Sequence, residues 1–356
     1  MHDQVFPRSR RHAHGYAVVE GGHRLYWERC GNAAGQPLLW LHGGPGSGIT
    51  LRQRSQFDPS HWCVTLFDQR GSGRSRPIGR QRGALVANTT ANLLEDIEVL
   101  RELAGASRWV VCGGSWGSTL ALAYAAEHPE AVSAMLLRST FLASNQESEA
   151  LLGRPSPNAA TGALEAWHAL LDAIDWTGAA IDWGVAHKLD ACHRILHGDD
   201  IDRALGLAHL WTANEAKRGV LRSQSDSGAE PSLIEDADSS GRDGARRAHA
   251  MLRRCIVQVH YLSSHCFLSL DRIRERLLAR PETLPALPVA LLHGRQDGLC
   301  AVANSQRVQR WLRDSRLHVV EDAGHEAFAP SMVLSWNQAM ACLAENGDFR
   351  HWGVSA

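Results

Sequence analysis

The segment GGSWG, residues 113–117, constrains the fold of this chain more than any other feature. It matches the pattern G-x-S-x-G, in which a serine occupies a sharp turn between a strand and a helix. The residues two positions from the serine are glycines because side chains there would clash within the turn. An apolar run, 109–114, leads into the serine, and an Ala- and Leu-rich segment, 118–128, follows it. The pattern therefore predicts a strand, a strained turn and a helix that present Ser115 as a nucleophile.

Short apolar runs alternate with helical segments on both sides of this turn. The run TTANLLEDIEVLRELAG has threonines at its start as N-caps and Gly105 at its end, as helices do. The apolar runs are typical of buried strands, and one period-two run is typical of a half-buried strand. This alternation predicts a mostly parallel, doubly wound α/β sheet. The predicted strands are Arg24–Cys30, Pro37–His42, Trp62–Asp68, Trp109–Gly114, Ala134–Ser139, Val289–Gly294 and Leu317–Asp322.

The middle of the chain lacks convincing strand patterns and has helical periodicity instead. Within it, residues 223–247 are rich in Ser, Asp and Gly, a composition that predicts a loop. A sheet that is interrupted and then resumed indicates an inserted domain. We expect residues 1–141 and 284–356 to form the α/β core and residues 142–283 to form a helical cap.

A nucleophilic serine requires a base, and the base requires an orienting carboxylate. Asp297 follows the predicted strand VALLHG, and His325 follows the predicted strand LHVVED. The order Ser, Asp, His along the chain is the one expected for a G-x-S-x-G hydrolase. Glu321 and Asp322 precede His325 too closely to reach its far ring nitrogen. The sequence therefore predicts a triad of Ser115, Asp297 and His325.

An acyl-transfer site also needs N–H donors for the oxyanion. The segment HGGPG, residues 42–46, follows a predicted strand, and its glycines allow a backbone N–H to face the reacting carbonyl. We assign one donor to the Gly44 N–H and the other to the N–H of Trp116, the residue after the nucleophile.

Composition excludes several classes of function. The net charge is −1, so a nucleic-acid track or an anionic membrane surface is not expected as a partner. The first residues, MHDQVFPRSRRHAHG, have no apolar region typical of a secretory signal, and no run of about 18 apolar residues predicts a transmembrane helix. The eight cysteines form no CxxC pair, which favours reduced thiols and a cytoplasmic protein.

Two pairs of potential metal ligands occur, His193 with His197 and His265 with Cys266. Neither has a third or fourth ligand at a spacing that would complete a site. We therefore expect no metal and no cofactor.

The motifs LHGGPGSG, LFDQRGSGRSRP, NTT and GGSWGSTLALAYAAEHPE together resemble those of the proline iminopeptidases, serine peptidases of the α/β-hydrolase fold. The resemblance runs from about residue 15 to residue 142 and resumes at LHGRQDGLC and AGHEAF. It implies an α/β-hydrolase fold with a helical cap. It also implies catalytic roles for Ser115, Asp297 and His325.

The resemblance extends to the cap with two departures. Family members carry W-x-x-W-E, whose glutamate binds the free amino terminus of the substrate, and here Trp211 and Glu215 are present while Asn214 replaces the second tryptophan. A second family glutamate, two residues before a His-Tyr pair, corresponds to Gln258. Because a neutral hydrogen bond to an ammonium is weaker than a charged one by about 1 kcal/mol, Gln258 is expected to weaken amine binding.

These features predict a serine aminopeptidase that releases N-terminal proline, or another small apolar residue, from short peptides through an acyl-enzyme. An esterase or amidase acting on a small uncharged metabolite is the first alternative, and Gln258 would suit it. A non-catalytic binding protein that keeps the fold is the second. The serine at residue 115 excludes an Asp-nucleophile dehalogenase or epoxide hydrolase. The sequence does not indicate an oligomeric state.

Overall fold

A computed structural model describes residues 5–155, 159, 161–175, 184–219 and 241–353. The described strands form one sheet in the order β1-β2-β4-β3-β5-β6-β7-β8. The pairs β1–β2 and β2–β4 are antiparallel, and all other neighbours are parallel. The predicted mostly parallel sheet is therefore confirmed. The strands are β1 (Arg11–Val19), β2 (His23–Gly31), β3 (Gln36–Leu41), β4 (Trp62–Phe67), β5 (Trp109–Gly114), β6 (Val132–Arg138), β7 (Val289–Gly294) and β8 (Ser315–Val320).

The edge strand β1 was not predicted from the sequence. Its segment, RHAHGYAVV, buries only Ala17, so solvent-facing polar and basic residues obscure any apolar alternation. The strand forms because β2 supplies an antiparallel partner along its whole length. A pairing between neighbouring segments therefore determines this element more than its own composition does.

Helices cover both faces of the sheet. On β3, Leu39 and Leu41 lie in one core, which also contains residues of the first two helices, while Leu38 and Trp40 face a second core. Trp40 contacts Trp336 of the last helix edge to face, with ring centroids 5.8 Å apart. The described α-helices are α1 (Thr90–Leu103), α2 (Trp116–Glu127), α3 (Asn145–Leu152), α4 (Ala163–Ala173), α5 (Val185–His197), α6 (Ile201–Gly219), α7 (Gly241–Ser263), α8 (Leu270–Leu278), α9 (Val302–Gln309) and α10 (Pro330–Asn346).

Helices α3 to α8 lie between β6 and β7, and the described residues of this insertion contain no strand. The boundaries of the cap at residues 142 and 283 stay a prediction. Among the described residues, no helix combines the length and the apolarity that crossing a membrane would require.

The loop predicted for residues 223–247 is wrong in its last part. Residues 241–247 belong to α7, which begins at Gly241. The two glycines at 241 and 244 disguise the start of this helix, whereas the Ala and Arg residues that follow are strong helix formers. The rest of the predicted loop up to residue 240 lies outside the described residues.

The NTT segment, residues 88–90, joins the cap to the core. The buried Asn88 accepts a 2.9 Å hydrogen bond from the Tyr261 hydroxyl through Oδ1, and its carbonyl oxygen lies 2.9 Å from His260 Nε2. Thr89 caps α1 by accepting from the Asn92 N–H. Thr90 Oγ1 donates to the Cys266 carbonyl at 2.5 Å. These short polar residues therefore start a core helix and hold the end of α7 at the same time.

A buried ion pair lies between the loop after β4 and α1. Arg70 donates through Nε and Nη2 to the two carboxylate oxygens of Asp96, both at 2.7 Å, and each side chain is 1% exposed. Arg70 also donates to the Ala87 carbonyl at 2.8 Å. Removing one partner of such a pair leaves the other charge buried without compensation.

We predict that Asp96→Asn lowers the free energy of unfolding by about 3–5 kcal/mol, because the Arg70 guanidinium would lose its buried counter-charge. Urea denaturation followed by far-UV circular dichroism measures the change. Glu321→Gln is the matched control, since Glu321 pairs with Arg295 at 71% and 49% exposure and should change little. Equal effects of the two substitutions would contradict the prediction.

Candidate active site

Ser115 lies at a strained turn between β5 and α2. Its backbone has φ 56° and ψ −125°, a conformation that residues other than glycine rarely adopt. A Cβ added to Gly113 would lie 2.4 Å from the Gly117 carbonyl oxygen, and one added to Gly117 would lie 2.1 Å from the Leu41 carbonyl oxygen. Gly113 is therefore required for the turn to close on itself, and Gly117 is required for it to pass close to the end of β3.

Asp297 and His325 meet at the ends of neighbouring strands. Asp297 follows β7, His325 follows β8, and the His325 Nδ1 lies 2.8 Å from Asp297 Oδ2. The other carboxylate oxygen accepts from the backbone N–H groups of Leu299 at 3.0 Å and Cys300 at 2.8 Å. The carboxylate is fully buried while the imidazole is 18% exposed. This arrangement fixes the orientation of the imidazole through its Nδ1 atom.

The environment of Asp297 favours its ionised form. Burial alone would raise the pKa of this carboxyl. Three favourable interactions outweigh burial and hold the pKa of Asp297 below its ordinary value. They are the charge and hydrogen bond of His325, the charge of His293 and the hydrogen bond from the Cys300 N–H. The group therefore carries a negative charge that can stabilise a protonated His325.

Ser115 is connected to this pair through Cys300. The Cys300 thiol adjoins the Ser115 side chain, and the Cys300 Sγ lies within 4.8 Å of ligand atoms of both Asp297 and His325. Within the described part of the chain, Ser115 makes no direct hydrogen bond to His325. Catalytic hydrogen bonds often tighten only when substrate binds. The structure thus brings the three predicted residues to one site.

The cluster of Asp297, Cys300 and His325 is poorly suited to a metal ion. The Asp297 oxygens are already used by His325 and by backbone N–H groups. Burial raises the pKa of the Cys300 thiol well above its ordinary value, so the thiolate that a metal needs is disfavoured. The His193 and His197 rings lie 4.4 Å apart, and no third ligand group accompanies them among the described residues.

The two predicted oxyanion donors belong to segments that adjoin Ser115. A Cβ added to Gly43 would lie 3.4 Å from the Ser115 Cβ, so the 42–46 turn passes directly against the nucleophile. Gly44 has φ +118°, a conformation that favours glycine. Trp116 is the first residue of α2, and its N–H is one of those that a helix leaves without an internal acceptor.

A buried hydrogen-bond network connects the 42–46 turn to Trp116, and the sequence did not predict it. The Gln69 N–H donates to His42 Nε2 at 3.0 Å, which leaves the His42 proton on Nδ1, 2.8 Å from the Gly43 carbonyl. Gln69 Nε2 donates to the His42 carbonyl at 3.0 Å, and the Trp116 indole donates to Gln69 Oε1 at 2.9 Å. Gln69 belongs to the DQRGSGRS motif, whose presence was the available signal.

Two further buried residues support the Asp297–His325 pair, and neither was predicted. Arg138 Nη1 donates to the His325 carbonyl at 2.5 Å and to Ser139 Oγ at 2.9 Å. Burial lowers the pKa of Arg138, and the charge of Asp297 partly offsets that. His293 Nδ1 lies 2.7 Å from Ser305 Oγ, and its Nε2 lies 2.9 Å from the Cys300 carbonyl.

The three predicted cap residues also meet. The Trp211 indole donates to Gln258 Oε1 at 3.0 Å, which directs Gln258 Nε2 toward Glu215 Oε1 at 3.2 Å and the Gly44 carbonyl at 3.3 Å. Gln258 and Trp211 are 2% and 1% exposed. The Gln258 amide thus connects the cap to the 42–46 turn.

Two other cap residues, Asn214 and Arg254, make hydrogen bonds that the sequence did not indicate. Asn214, which replaces the second tryptophan, donates to the Leu151 carbonyl at 2.9 Å and accepts from Arg218 Nε at 3.2 Å. It therefore joins α6 to α3. Arg254 Nη2 donates to Glu215 Oε2 at 2.5 Å, so the cap carboxylate already has a cationic partner.

Comparison with known proteins agrees with the fold. A family model described as the alpha/beta hydrolase fold matches residues 36–330. A proline iminopeptidase of Xylella fastidiosa (strain 9a5c) is 34% identical, covering 96% of this chain and 98% of that protein. The proline iminopeptidase of Arabidopsis thaliana is 33% identical, covering 89% of this chain and 76% of that protein.

Solved structures support the fold alone. VinJ has a TM-score of 0.58 at 19% identity, covering 94% of this chain and 99% of its own. A hydrolase from Pseudomonas aeruginosa PA01 has a TM-score of 0.57 at 17% identity, covering 91% and 98%.

We predict that a fluorophosphonate probe labels the wild-type protein and that Ser115→Ala abolishes labelling. Asp297→Asn should slow labelling by about 10³- to 10⁴-fold, because His325 would lose the tautomer and orientation that let it accept the serine proton. Fluorescence of the labelled band over time gives the rate. Asp322→Asn, a nearby exposed acid, is the control and should label at the wild-type rate. Labelling of Ser115→Ala would show that another residue is the nucleophile.

Proposed function

This chain belongs to the proline iminopeptidases of the α/β-hydrolase fold, and on that premise we propose that it is a serine aminopeptidase. It releases N-terminal proline, or another small apolar residue, from short peptides. The observation that carries this proposal is the contact between the cap carboxylate network and the 42–46 turn, through the bond from Gln258 to the Gly44 carbonyl. This contact links a group able to bind an amino terminus to the site where a carbonyl would react.

The proposed reaction has two halves. The Ser115 Oγ attacks the scissile carbonyl while His325 takes the serine proton, and the N–H groups of Gly44 and Trp116 stabilise the oxyanion. His325 then gives its proton to the leaving amine, which forms the prolyl-serine ester. A water molecule, deprotonated by His325, attacks this ester, and His325 returns the proton to the Ser115 oxygen as the ester bond breaks and proline is released. Asp297 remains ionised and stabilises the imidazolium in both halves.

Glu215 is proposed to bind the substrate's amino terminus. An N-terminal amine has a pKa of roughly 8, so it is mostly cationic at neutral pH, and a carboxylate is its natural partner. Glu215 is 16% exposed, which leaves it partly desolvated yet reachable. The helices over the site would restrict access to short peptides. A cytoplasmic location is part of the proposal, and the eight free cysteines support it.

One observation favours the second candidate, an esterase or amidase acting on a small uncharged metabolite. Glu215 is already paired with Arg254, so the cap network is closer to neutral than a lone carboxylate would make it. Hydrolysis of L-proline β-naphthylamide, compared with its N-acetylated form and with p-nitrophenyl esters, separates the two candidates. A preference for the free amine supports the aminopeptidase, and equal or better use of blocked or ester substrates supports the alternative.

We predict that Glu215→Gln lowers kcat/KM for L-proline β-naphthylamide by about tenfold or more, because it removes a charged hydrogen bond to the ammonium. The N-acetylated substrate has no ammonium and should not be affected in the same way. Initial rates from naphthylamine release measure both.

Asp202→Asn removes a carboxylate from the exposed first turn of the same helix and serves as the control. This substitution should leave kcat/KM unchanged for both the free-amine and the N-acetylated substrate. A Glu215→Gln variant that keeps the wild-type kcat/KM for the free amine would refute the role of Glu215 and favour the esterase or amidase.

A further inference from the structure

Arg254 has an unexpected position beside the cap carboxylate. It lies on α7, four residues before Gln258, and its Nη2 donates to Glu215 Oε2 at 2.5 Å. Its Nε donates to Ser47 Oγ at 3.1 Å, directly after the 42–46 turn. The side chains of Arg254 and Glu215 are 15% and 16% exposed, so water screens this pair less than it would screen a surface pair. The Arg254 guanidinium is therefore already paired with the Glu215 carboxylate that the substrate's ammonium would bind.

We propose that Arg254 is a specificity-determining residue that competes with the substrate's amino terminus for Glu215. The inference rests on the proposed function, because it takes Glu215 as the group that binds the amine. It goes beyond that function in naming a residue that lowers the enzyme's preference for a charged amino terminus.

The competition follows from the donors already present on Glu215. Arg254 donates to Oε2, and Gln258 donates to Oε1 at 3.2 Å. A substrate ammonium must displace the Arg254 guanidinium or bind beside it, where the two positive charges repel. Displacement also breaks the bond to Ser47, since both contacts come from one rigid planar group. Either route weakens binding of a cation and leaves binding of an uncharged group largely unaffected.

The consequence concerns the class of substrate. A lone carboxylate favours cationic amines over neutral nitrogens, whereas the Glu215–Arg254 pair carries no net charge. The pocket should therefore accept small acyl groups whose nitrogen is uncharged, such as N-acylated proline, with a smaller penalty than a pocket without the arginine. Arg254 thereby broadens the acyl groups that the site tolerates.

Direct binding to the Ser115→Ala variant tests the proposal without interference from turnover. Isothermal titration calorimetry would compare L-prolinamide, which is cationic, with N-acetyl-L-prolinamide, which is neutral. Adding Arg254→Met removes the charge and keeps a long side chain. We expect this change to tighten the Kd of L-prolinamide by about three- to tenfold and to leave the Kd of the N-acetyl compound unchanged, because only the ammonium competes with the guanidinium.

Arg253→Met is the matched control. Arg253 is the preceding residue on α7, but its side chain lies against Gly79, where a Cβ would be 2.7 Å from Arg253 Cγ. It should change neither Kd. Adding Glu215→Gln to Arg254→Met should abolish the gain, since the carboxylate is the shared partner. Thermal melting checks each variant, and Arg254→Gln replaces Arg254→Met if the latter is unfolded.

Three outcomes would overturn the proposal. Weaker or unchanged binding of L-prolinamide to Arg254→Met would mean that Arg254 holds Glu215 in place rather than competing for it. Equal tightening of both amides would indicate a simple enlargement of the pocket. Absence of L-prolinamide binding in every variant would mean that no cation site opens. Failure of the proposed function is distinguished separately, by wild-type protein that labels with fluorophosphonate yet does not hydrolyse L-proline β-naphthylamide.

Discussion

The close approach of the Ser115 turn to the end of β3 is the constraint on which the rest of the site depends. The backbone at Gly117 lies so near the Leu41 carbonyl that no side chain fits between them. This contact sets the direction in which α2 leaves the sheet, and with it the position of the Trp116 N–H. It also brings the 42–46 turn, which continues from β3, against Ser115. Ser115 and both candidate oxyanion donors are therefore positioned around one backbone contact.

Hydrogen bonds between buried side chains then keep this arrangement in place. Gln69 joins His42 to the Trp116 indole, and the three side chains have almost no exposure to water. Each partner is hydrogen-bonded, and a buried polar group that lost its partner would cost free energy. The Arg138 guanidinium holds the carbonyl of His325 from below in a similar manner. Buried hydrogen bonds from core residues thus fix the backbone around Ser115 and His325.

Local features of the sequence predicted the sheet and the meeting of Asp297 with His325. Each of these residues directly follows an apolar strand, and parallel strands end at the same edge of a sheet. The Glu215–Arg254 pair could not be predicted in this way, because its members lie on different helices and meet only through cap packing. The edge strand β1 was missed because its pairing with β2, rather than an apolar pattern, determines it. Contacts set by strand order are readable from sequence, and contacts set by helix packing are not.

The place of the insertion has a consequence for how such a protein can diversify. The insertion leaves the carboxyl end of β6 at Arg138 and returns to the amino end of β7 at Val289, and these two strands are parallel neighbours in the sheet. The entropy of closing a connection rises only slowly with its length, so these two strand ends, which the sheet itself fixes, can accept insertions of different lengths. Natural variation or a protein engineer could therefore exchange the whole cap as a cassette. The new cap would inherit the catalytic core unchanged, provided that it again supplied partners for Asn88 and for the Gly44 carbonyl.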